Sequence, residues 1–168
     1  MGNINKPDYD YENSLGFLIY KTGKLLIQVF DQELRKNFDI TFSQWKIIIT
    51  LVNNSDGLTQ KEIADKLGLE GPTLIPIIDK LEKDGFAIRK VCNNDRRNNR
   101  IFLTEKTNNE LELMINSAIK IRNKSLHDIS EENITVTKDT LEKMLINIQK
   151  ISDNNGIKDK ENISLIMK

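Results

Sequence analysis

Apolar side chains recur at steps of three and four residues along residues 14–36, the spacing that collects them on one face of an α-helix. This first predicted helix is long for a small domain. Its apolar stripe consists of Leu15, Leu18, Ile19, Leu25, Leu26, Val29, Phe30 and Leu34. A second helix is predicted within "QWKIIITLVNN", and Ser43 just before it is a candidate N-cap. The apolar run 47–49 also fits a strand, but Trp45, Ile48 and Leu51 keep one stripe, which favours the helix.

Two short helices joined by a tight turn are predicted next. Thr59 and Glu62 form a T-x-x-E capping box at the start of the first, and Gly68 is its expected stop. The second, "PTLIPIIDKLEKDG", has Pro72 near its first position and Gly85 past its last. Two strand-like runs follow, "FAIRKVC" and "RIFLT", separated by the polar octet "NNDRRNNR". This order predicts a winged helix-turn-helix with a two-stranded β-wing.

Two long amphipathic helices are predicted after the second strand. Thr104 or Thr107 can cap the first of them, and the last begins at Ser130 or Thr137. The long outer helices carry more apolar surface than a small centre can cover, and a second copy of the chain would bury the excess. The residues that we assign to such a dimer interface are Leu15, Leu18, Leu141, Leu145 and Ile148.

The predicted fold is therefore mainly α, with a winged helix-turn-helix core between long N- and C-terminal dimerisation helices. We expect one domain, because no repeat or second core is visible in the sequence. The predicted boundaries are a flexible N-terminal arm at 1–12, a single domain at 13–152 with dimerisation helices at 13–37 and 105–152 around a winged core at 42–104, and a polar tail at 153–168.

Composition narrows the function classes. The chain has 168 residues, of which 38% are hydrophobic, which suits one domain. A single cysteine excludes an internal disulfide, and a single histidine far from it argues against a structural zinc site. No signal peptide and no apolar run of ~20 residues is present, so we expect a cytoplasmic protein with no membrane partner. Because no phosphate loop, metal-ligand spacing or Ser/His/Asp set appears, we expect neither an enzyme nor a cofactor.

The charge is balanced overall but unevenly distributed. The chain carries 25 Lys and Arg against 25 Asp and Glu, for a formal net charge of zero. Residues 86–106 hold six basic and two acidic residues, a local net charge of +4 that leaves −4 for the rest of the chain. A basic patch of this kind around a hairpin favours nucleic acid as a partner.

A family resemblance rests on the same central segment. "FSQWKIIITLVNNSDGLTQKEIADKLGLEGPTLIPIIDKLEKDGFAIRKVCNNDRRNNRIFLTEK" contains T-Q-x-E-I-A, I-D-x-L-E-x-x-G, D-R-R and L-T-E-K in one series. Residues 42–106 thereby resemble the MarR family of transcription regulators, and the phrase around Cys92 looks most like the SlyA branch. The resemblance implies an intertwined dimer on double-stranded DNA, with the second helix in the major groove and the wing in the minor groove. It also implies modulation by a small ligand, often a phenolic anion, or by cysteine oxidation in one branch.

The wing carries the predicted minor-groove contacts. Arg97 matches the position that the family inserts into the groove, and Asp95 is expected to fix the aim of that arginine. A narrow A·T-rich groove concentrates negative potential that attracts guanidinium groups. Arg96 and Arg100 are predicted to face phosphates, where paired N–H groups bind two oxygens.

The helices carry the other predicted contacts. Thr59, Gln60 and Lys61 are candidate phosphate ligands at the start of the first short helix. The second presents Pro72, Thr73, Pro76, Asp79 and Lys80, with no Arg, Asn or Gln in residues 70–84 for bidentate base contacts.

Pro76 departs from the family, because SlyA relatives carry an arginine there. It either kinks the helix or contacts DNA, and both readings stay open. Thr73 can donate to a base or phosphate, and Pro72 and Pro76 can touch thymine methyl groups. We therefore expect shape-dominated recognition of an A·T-rich pseudo-palindrome.

Two further hypotheses concern regulation. Tyr20, Lys24, Trp45 and Lys46 are candidate contacts for a small aromatic effector, although Trp45 also fits the core. Cys92 is interpreted as an ordinary strand residue rather than a redox sensor, because it has no resolving partner. The leading prediction is a dimeric DNA-binding repressor. The alternative is a winged-helix protein-interaction or ligand-binding module with weakened DNA recognition.

Overall fold

The structure is a computed structural model that describes residues 10–92 and 95–154, with the side chains of residues 92–98 left aside. Within these residues it has six helices and three strands, in the order expected for a winged helix-turn-helix between long helices. The elements are α1 (Leu15–Phe38), α2 (Phe42–Val52), β1 (Leu58–Thr59), α3 (Gln60–Leu67), α4 (Gly71–Lys83), β2 (Ala87–Cys92), β3 (Asp95–Leu103), α5 (Glu105–Ser125) and α6 (Glu131–Asn154).

The start of α2 differs from the sequence prediction. Thr41, not Ser43, is the N-cap, because its hydroxyl accepts from the Gln44 N–H at 3.2 Å. The Gln44 side chain in turn accepts a hydrogen bond from the Thr41 N–H at 2.8 Å. Ser43 therefore lies inside the first turn. The ambiguous apolar run 47–49 is helical, as predicted.

The helix-turn-helix follows its capping signals. Thr59 and Glu62 form the predicted capping box of α3, and Gly68 ends that helix in the left-handed conformation at φ 62°. Helix α4 has Pro72 in its first turn and runs without interruption through Pro76 to Lys83. Proline has no N–H, so Pro76 leaves the carbonyl four residues earlier without its usual helical donor.

The sheet is larger than predicted. A third strand, β1, was missed, and the strand order is β1-β3-β2 with both pairings antiparallel. Much of the octet assigned to a loop is strand, because β3 begins at Asp95 and pairs Asn99 with Val91. Two residues are too few to show a hydrophobic period. Polar residues of a wing that projects from the core carry no such period either.

A glycine is required where the chain turns into β1. Gly57 has φ +69°, and a Cβ added there would lie 2.8 Å from the Ile101 carbonyl oxygen and from the Phe102 ring. Both the conformation and the space exclude other residues without rearrangement.

The core lies under the helix-turn-helix and extends to α1 and α5. Its fully buried side chains include Leu34, Ile47, Ile48, Ile63, Leu74, Ile78, Ile101 and Met114. Thr104 rather than Thr107 caps α5, and the buried Thr107 hydroxyl donates to the Phe86 carbonyl. Before α6, the Ser130 hydroxyl accepts from the Asn133 N–H at 3.2 Å, which selects the earlier of the two predicted starts.

Helix α6 is different from the other helices of the described chain. It has 24 residues and none of them is buried. Ile148 is 55% exposed, and Leu141 and Leu145 are half-buried. Along α1 the apolar residues Leu15 and Leu18 are also about half exposed. A single protomer thus leaves the apolar stripes of both terminal helices open to solvent.

Asp31 links α1 to the start of α2. Its Oδ1 accepts from the Phe42 N–H at 2.7 Å, and its Oδ2 accepts from Arg35 Nε at 2.6 Å. The Arg35 bond, with that of the Phe42 amide, holds the pKa of Asp31 below its ordinary value despite partial burial. A lowered pKa in the folded state stabilises the fold above the unfolded pKa, and that contribution is lost as pH falls through the folded value.

We expect Asp31→Asn to lower the free energy of unfolding by about 1 kcal/mol at pH 7. The difference from the wild type should shrink as pH falls below about 4, toward the lowered pKa of the folded carboxylate. Urea denaturation at a fixed protein concentration between pH 3 and pH 7 measures this difference. Asp65→Asn, an exposed carboxylate of α3, is the control and should change stability by less than about 0.5 kcal/mol. An equal loss for Asp31→Asn at both ends of the range would contradict the assignment.

Candidate nucleic-acid interface

The exposed face of α4 is the surface that the sequence assigned to DNA. Leu74, Ile78 and Leu81 are fully buried, so the opposite side of the helix faces solvent. That side consists of Pro72, Thr73, Ile75, Pro76, Asp79, Lys80 and Lys83. Sequence reasoning missed Ile75, which is 45% exposed. The signal was present, because Ile75 lies outside the spacing of the buried stripe.

Arg89 ties the wing to α4. Its Nη2 lies 2.6 Å from Asp79 Oδ1, and its Nη1 donates to Glu82 Oε2. Its backbone N–H donates to Glu82 Oε1 at 2.8 Å. The Arg89 side chain is only 24% exposed, so solvent screens these bonds less than those of a surface pair. One guanidinium therefore bonds both carboxylates on the wing side of α4, offsets part of their negative charge and fixes the helix against β2.

Lys80 has a partner on its own helix. Its Nζ donates to Asp84 Oδ1 at 2.9 Å, and this hydrogen bond raises the pKa of Lys80. Lys83, which is exposed one turn beyond Asp79, adds a second cation near the end of the same face. Both cations therefore lie on the face of α4 that carries the predicted DNA contacts.

Arg100 does not project freely from the wing. Its Nη2 donates to the Gly57 carbonyl at 2.9 Å, and its Nε donates to the Asp56 carbonyl at 3.0 Å. Glu62 Oε2 lies 3.6 Å from the same Nη2. The guanidinium thus holds β3 to the turn before β1. The phosphate contact predicted for Arg100 would have to be shared with these acceptors.

At the start of α3, polar groups already bond to one another. The Thr59 hydroxyl accepts from the Glu62 N–H at 3.2 Å and lies 2.9 Å from Glu62 Oε2. The backbone N–H of Thr59 donates to the same carboxylate and, as the largest cause, holds the pKa of Glu62 below its ordinary value. Gln60 is half-buried, whereas Lys61 is exposed. Of the three predicted phosphate ligands, Lys61 has the most accessible side chain.

The wing tip carries the remaining predicted DNA contacts. The backbone of Asp95, Arg96 and Arg97 is part of β3, where Asp95 pairs with Cys92 across the hairpin. The side chains of these four residues lie outside what the structure describes. Their predicted roles remain predictions.

The structure places the predicted effector contacts on two helices, Tyr20 and Lys24 on α1 and Trp45 and Lys46 on α2. Trp45 is a core residue whose ring meets Phe30 edge-on at 5.6 Å between centroids. Lys24 Nζ lies 5.7 Å from the centroid of the exposed Tyr20 ring, and Lys46 is half-buried. None of these four residues lines the apolar cavity of about 310 Å³ between α1, α2 and α5. The lining is formed by Leu26, Ile27, Phe30, Phe42, Ala118, Ile121, Arg122, Ser125 and Leu126.

The part of the chain that the structure describes contains neither a metal-binding cluster nor a membrane-spanning helix. Among them, no group of three or more His, Cys, Asp and Glu side chains is arranged to hold a metal ion. None of the helices formed by residues 10–92 and 95–154 has the length and apolar character needed to cross a membrane.

Comparison with known proteins identifies the family. The MarR family pattern matches residues 40–98. The HTH-type transcriptional regulator SarZ of Staphylococcus haemolyticus (strain JCSC1435) is 29% identical over 143 residues, which cover 85% of this chain and 90% of SarZ. The structure of a MepR–DNA complex from S. aureus is 30% identical, covers 80% of this chain and 98% of MepR, and has a TM-score of 0.72. The chain belongs to the MarR family.

The fold and the family prediction are both confirmed by these likenesses. The transcriptional regulator SlyA shares the MarR fold, with a TM-score of 0.69 at 22% identity over 80% of this chain and 96% of SlyA. The MarR-type structures contain the mainly α winged helix described above. MarR proteins are transcriptional regulators and not a family of enzymes. This chain is accordingly a MarR-family transcriptional regulator.

Proposed function

We propose that the protein is a dimeric repressor that binds an A·T-rich pseudo-palindrome, with α4 in the major groove and the wing in the flanking minor groove. The observation that carries this proposal is the solvent-facing side of α4 beside the β2–β3 hairpin, with Arg89 bonding the two elements together. A rigid connection presents helix and wing to one duplex at a fixed spacing. The MepR structure contains DNA, which supports the same use of the fold here.

The dimer is proposed from the terminal helices. Leu15, Leu18 and Ile148 are each at least 50% exposed in one protomer, which is costly for an isolated chain in water. A second copy, placed by a two-fold axis, would cover them and would also bury Leu141 and Leu145. Two α4 helices would then meet successive major grooves about 34 Å apart, on one side of the duplex.

A small effector is proposed for the apolar cavity between α1, α2 and α5. Its lining is almost wholly carbon, with Arg122 as the one charged side chain. An aromatic or other apolar acid would bury its body there and meet the guanidinium with its carboxylate. Because the cavity joins the dimerisation helices to α2, a ligand would release DNA by altering the separation of the two α4 helices. Tyr20, Lys24, Trp45 and Lys46, the contacts predicted from the sequence, do not line this cavity and stay a separate prediction.

A salt titration tests the DNA-binding proposal. Fluorescence anisotropy of a labelled duplex, chosen by selection from random sequences, should show affinity falling steeply with salt, because phosphate binding releases counterions. Arg97→Ala should weaken binding about tenfold at 100 mM salt and flatten the slope by about one unit. Arg35→Ala, on α1 and outside the helix-turn-helix, is the matched control and should match the wild type.

The alternative function makes the opposite prediction. A winged-helix protein-interaction module would bind every duplex weakly, and the affinity would not change with Arg97→Ala. The observation that favours it is the absence of Arg, Asn and Gln from residues 70–84. Failure of the selection to enrich any duplex would favour that alternative over the repressor.

A further inference from the structure

We propose that α4 recognises thymine C5-methyl groups through an apolar patch formed by Pro72, Ile75 and Pro76. The inference rests on the proposed function, because it assigns the chemistry by which the same helix would read sequence. In this proposal Ile75 is the residue that determines specificity. The ligand is a stretch of thymines in the major groove.

The patch is continuous on the solvent side of the helix. Pro72 lies one turn before both Ile75 and Pro76, and Ile75 lies one turn before Asp79, which bonds Arg89 of the wing. All three side chains are exposed, and Ile75 exposes 45% of its surface while the adjacent Leu74 exposes none. An isoleucine between two prolines contributes nothing to the core from this position. With the two prolines it forms an exposed apolar patch, which an apolar partner outside the protomer would cover.

Two charged groups of the same face have partners within the protein. Asp79 accepts from Arg89 at 2.6 Å, and Lys80 donates to Asp84 at 2.9 Å. Thr73 is the only hydroxyl on the exposed face of α4, and no amide or guanidinium side chain lies between residues 70 and 84. Hydrogen bonding to guanine or adenine edges therefore has few donors. The methyl group of thymine is the one apolar group that a base pair presents in the major groove, so carbon contact can still discriminate.

Charge favours a duplex over a protein surface as the occupant. Lys80 and Lys83 lie on the exposed face of α4, and Lys61 is exposed at the start of α3. An apolar strip bordered by ammonium groups matches a groove floor of methyl groups between phosphate walls. A protein partner would instead need an apolar pocket with an acidic rim.

The test replaces thymine by deoxyuridine in the selected duplex. This change removes the methyl group and keeps every hydrogen-bonding group of the base. We expect each contacted thymine to lose about threefold to fourfold in affinity, the value of one buried methyl group. Replacing all contacted thymines in both half-sites should lower affinity at least tenfold. Anisotropy at constant salt measures both changes.

Ile75→Ala should weaken binding to the thymine duplex. The ratio of the affinities for the thymine and deoxyuridine duplexes should fall to less than twofold. Ile88→Ala removes a similarly exposed isoleucine from β2, at 43%, and should retain the full ratio. Ile75→Ser leaves a short polar side chain without a methyl group, and should also lose the ratio. Circular dichroism and thermal unfolding confirm that each variant is folded, which is expected because both isoleucines are exposed.

Each outcome separates the inference from the proposed function. Equal affinity for thymine and uracil duplexes, with binding intact, would overturn the methyl-reading inference and leave the repressor proposal standing. A ratio that survives Ile75→Ala would overturn the assignment to this patch. Loss of all duplex binding by the wild type would overturn the proposed function itself, and binding of Ile75 to a protein partner would then be the remaining use of the patch.

Discussion

Arg89→Met should weaken operator binding by between about 10-fold and 100-fold while the protein remains folded. The substitution keeps the apolar stem and removes the guanidinium that bonds Asp79 and Glu82. Two carboxylates would then stay ionised on the DNA side of α4, where they repel phosphates, and the helix would lose its fixed orientation against β2. Like-charge contacts at an interface cost several kcal/mol, whereas losing one partner of a half-exposed ion pair costs the fold only about 1–2 kcal/mol.

Additional substitutions distinguish repulsion between the carboxylates and DNA from the loss of the orientation of α4. Asp79→Asn and Glu82→Gln in the Arg89→Met background remove the charges and should recover part of the affinity. Arg35→Met breaks an ion pair of similar length, 2.6 Å, on α1 and should leave DNA binding unchanged. An Arg89→Met protein that binds within twofold of the wild type would show that the pair is not part of the DNA-binding mechanism.

Ile148→Glu should convert the dimer to a monomer and lower operator affinity by at least about 100-fold. Ile148 is 55% exposed in one protomer, so a carboxylate there costs that protomer little. In a dimer the same group would be buried without a partner, which costs several kcal/mol per copy. A monomer binds only one half-site. It loses the gain in affinity that comes from binding two linked half-sites at once, which is a factor of about 100 or more.

The control for this prediction lies on the same helix. Lys143 is exposed on the face of α6 away from Ile148, so Lys143→Glu should leave both mass and affinity unchanged. Multi-angle light scattering at micromolar concentration gives the mass directly. A monomeric wild type, or a dimeric Ile148→Glu protein with full affinity, would remove α6 from the dimer interface.

Local signals in the sequence predicted much of the fold correctly. The Thr59–Glu62 capping box, the stop at Gly68 and the proline at the start of α4 are interactions within a few residues, and each is found where it was predicted. The period of the apolar stripes predicted all six helices. Such features are readable because sequence neighbours create them.

Features that depend on distant contacts were missed. Strand β1 exists because Leu58 and Thr59 pair with residues more than forty positions later, and two residues carry no readable period. Arg100 was predicted to face phosphate, but its position in β3 brings it to the carbonyls of Asp56 and Gly57. No local sequence pattern predicts a pairing between residues so far apart in the chain.

The candidate site combines residues that the sequence predicted with features that only the structure shows. The sequence indicated that α4 lacks base-reading amides, and the structure adds the exposed Ile75 and the pairing of Asp79 with Arg89. Both additions need three-dimensional positions, because residues 79 and 89 belong to different elements. The effector contacts were inferred by analogy and stay predictions; none of them lines the apolar cavity between α1, α2 and α5.

The central claim is that two protomers deliver two α4 helices and two wings to one duplex. Sedimentation of the protein with the selected, labelled duplex across a salt series measures stoichiometry and electrostatics together. The account predicts two protomers per duplex and a log–log slope of about −4 or steeper, since each protomer should neutralise at least about two phosphates. One protomer per duplex, or an affinity that does not change with salt, would contradict it.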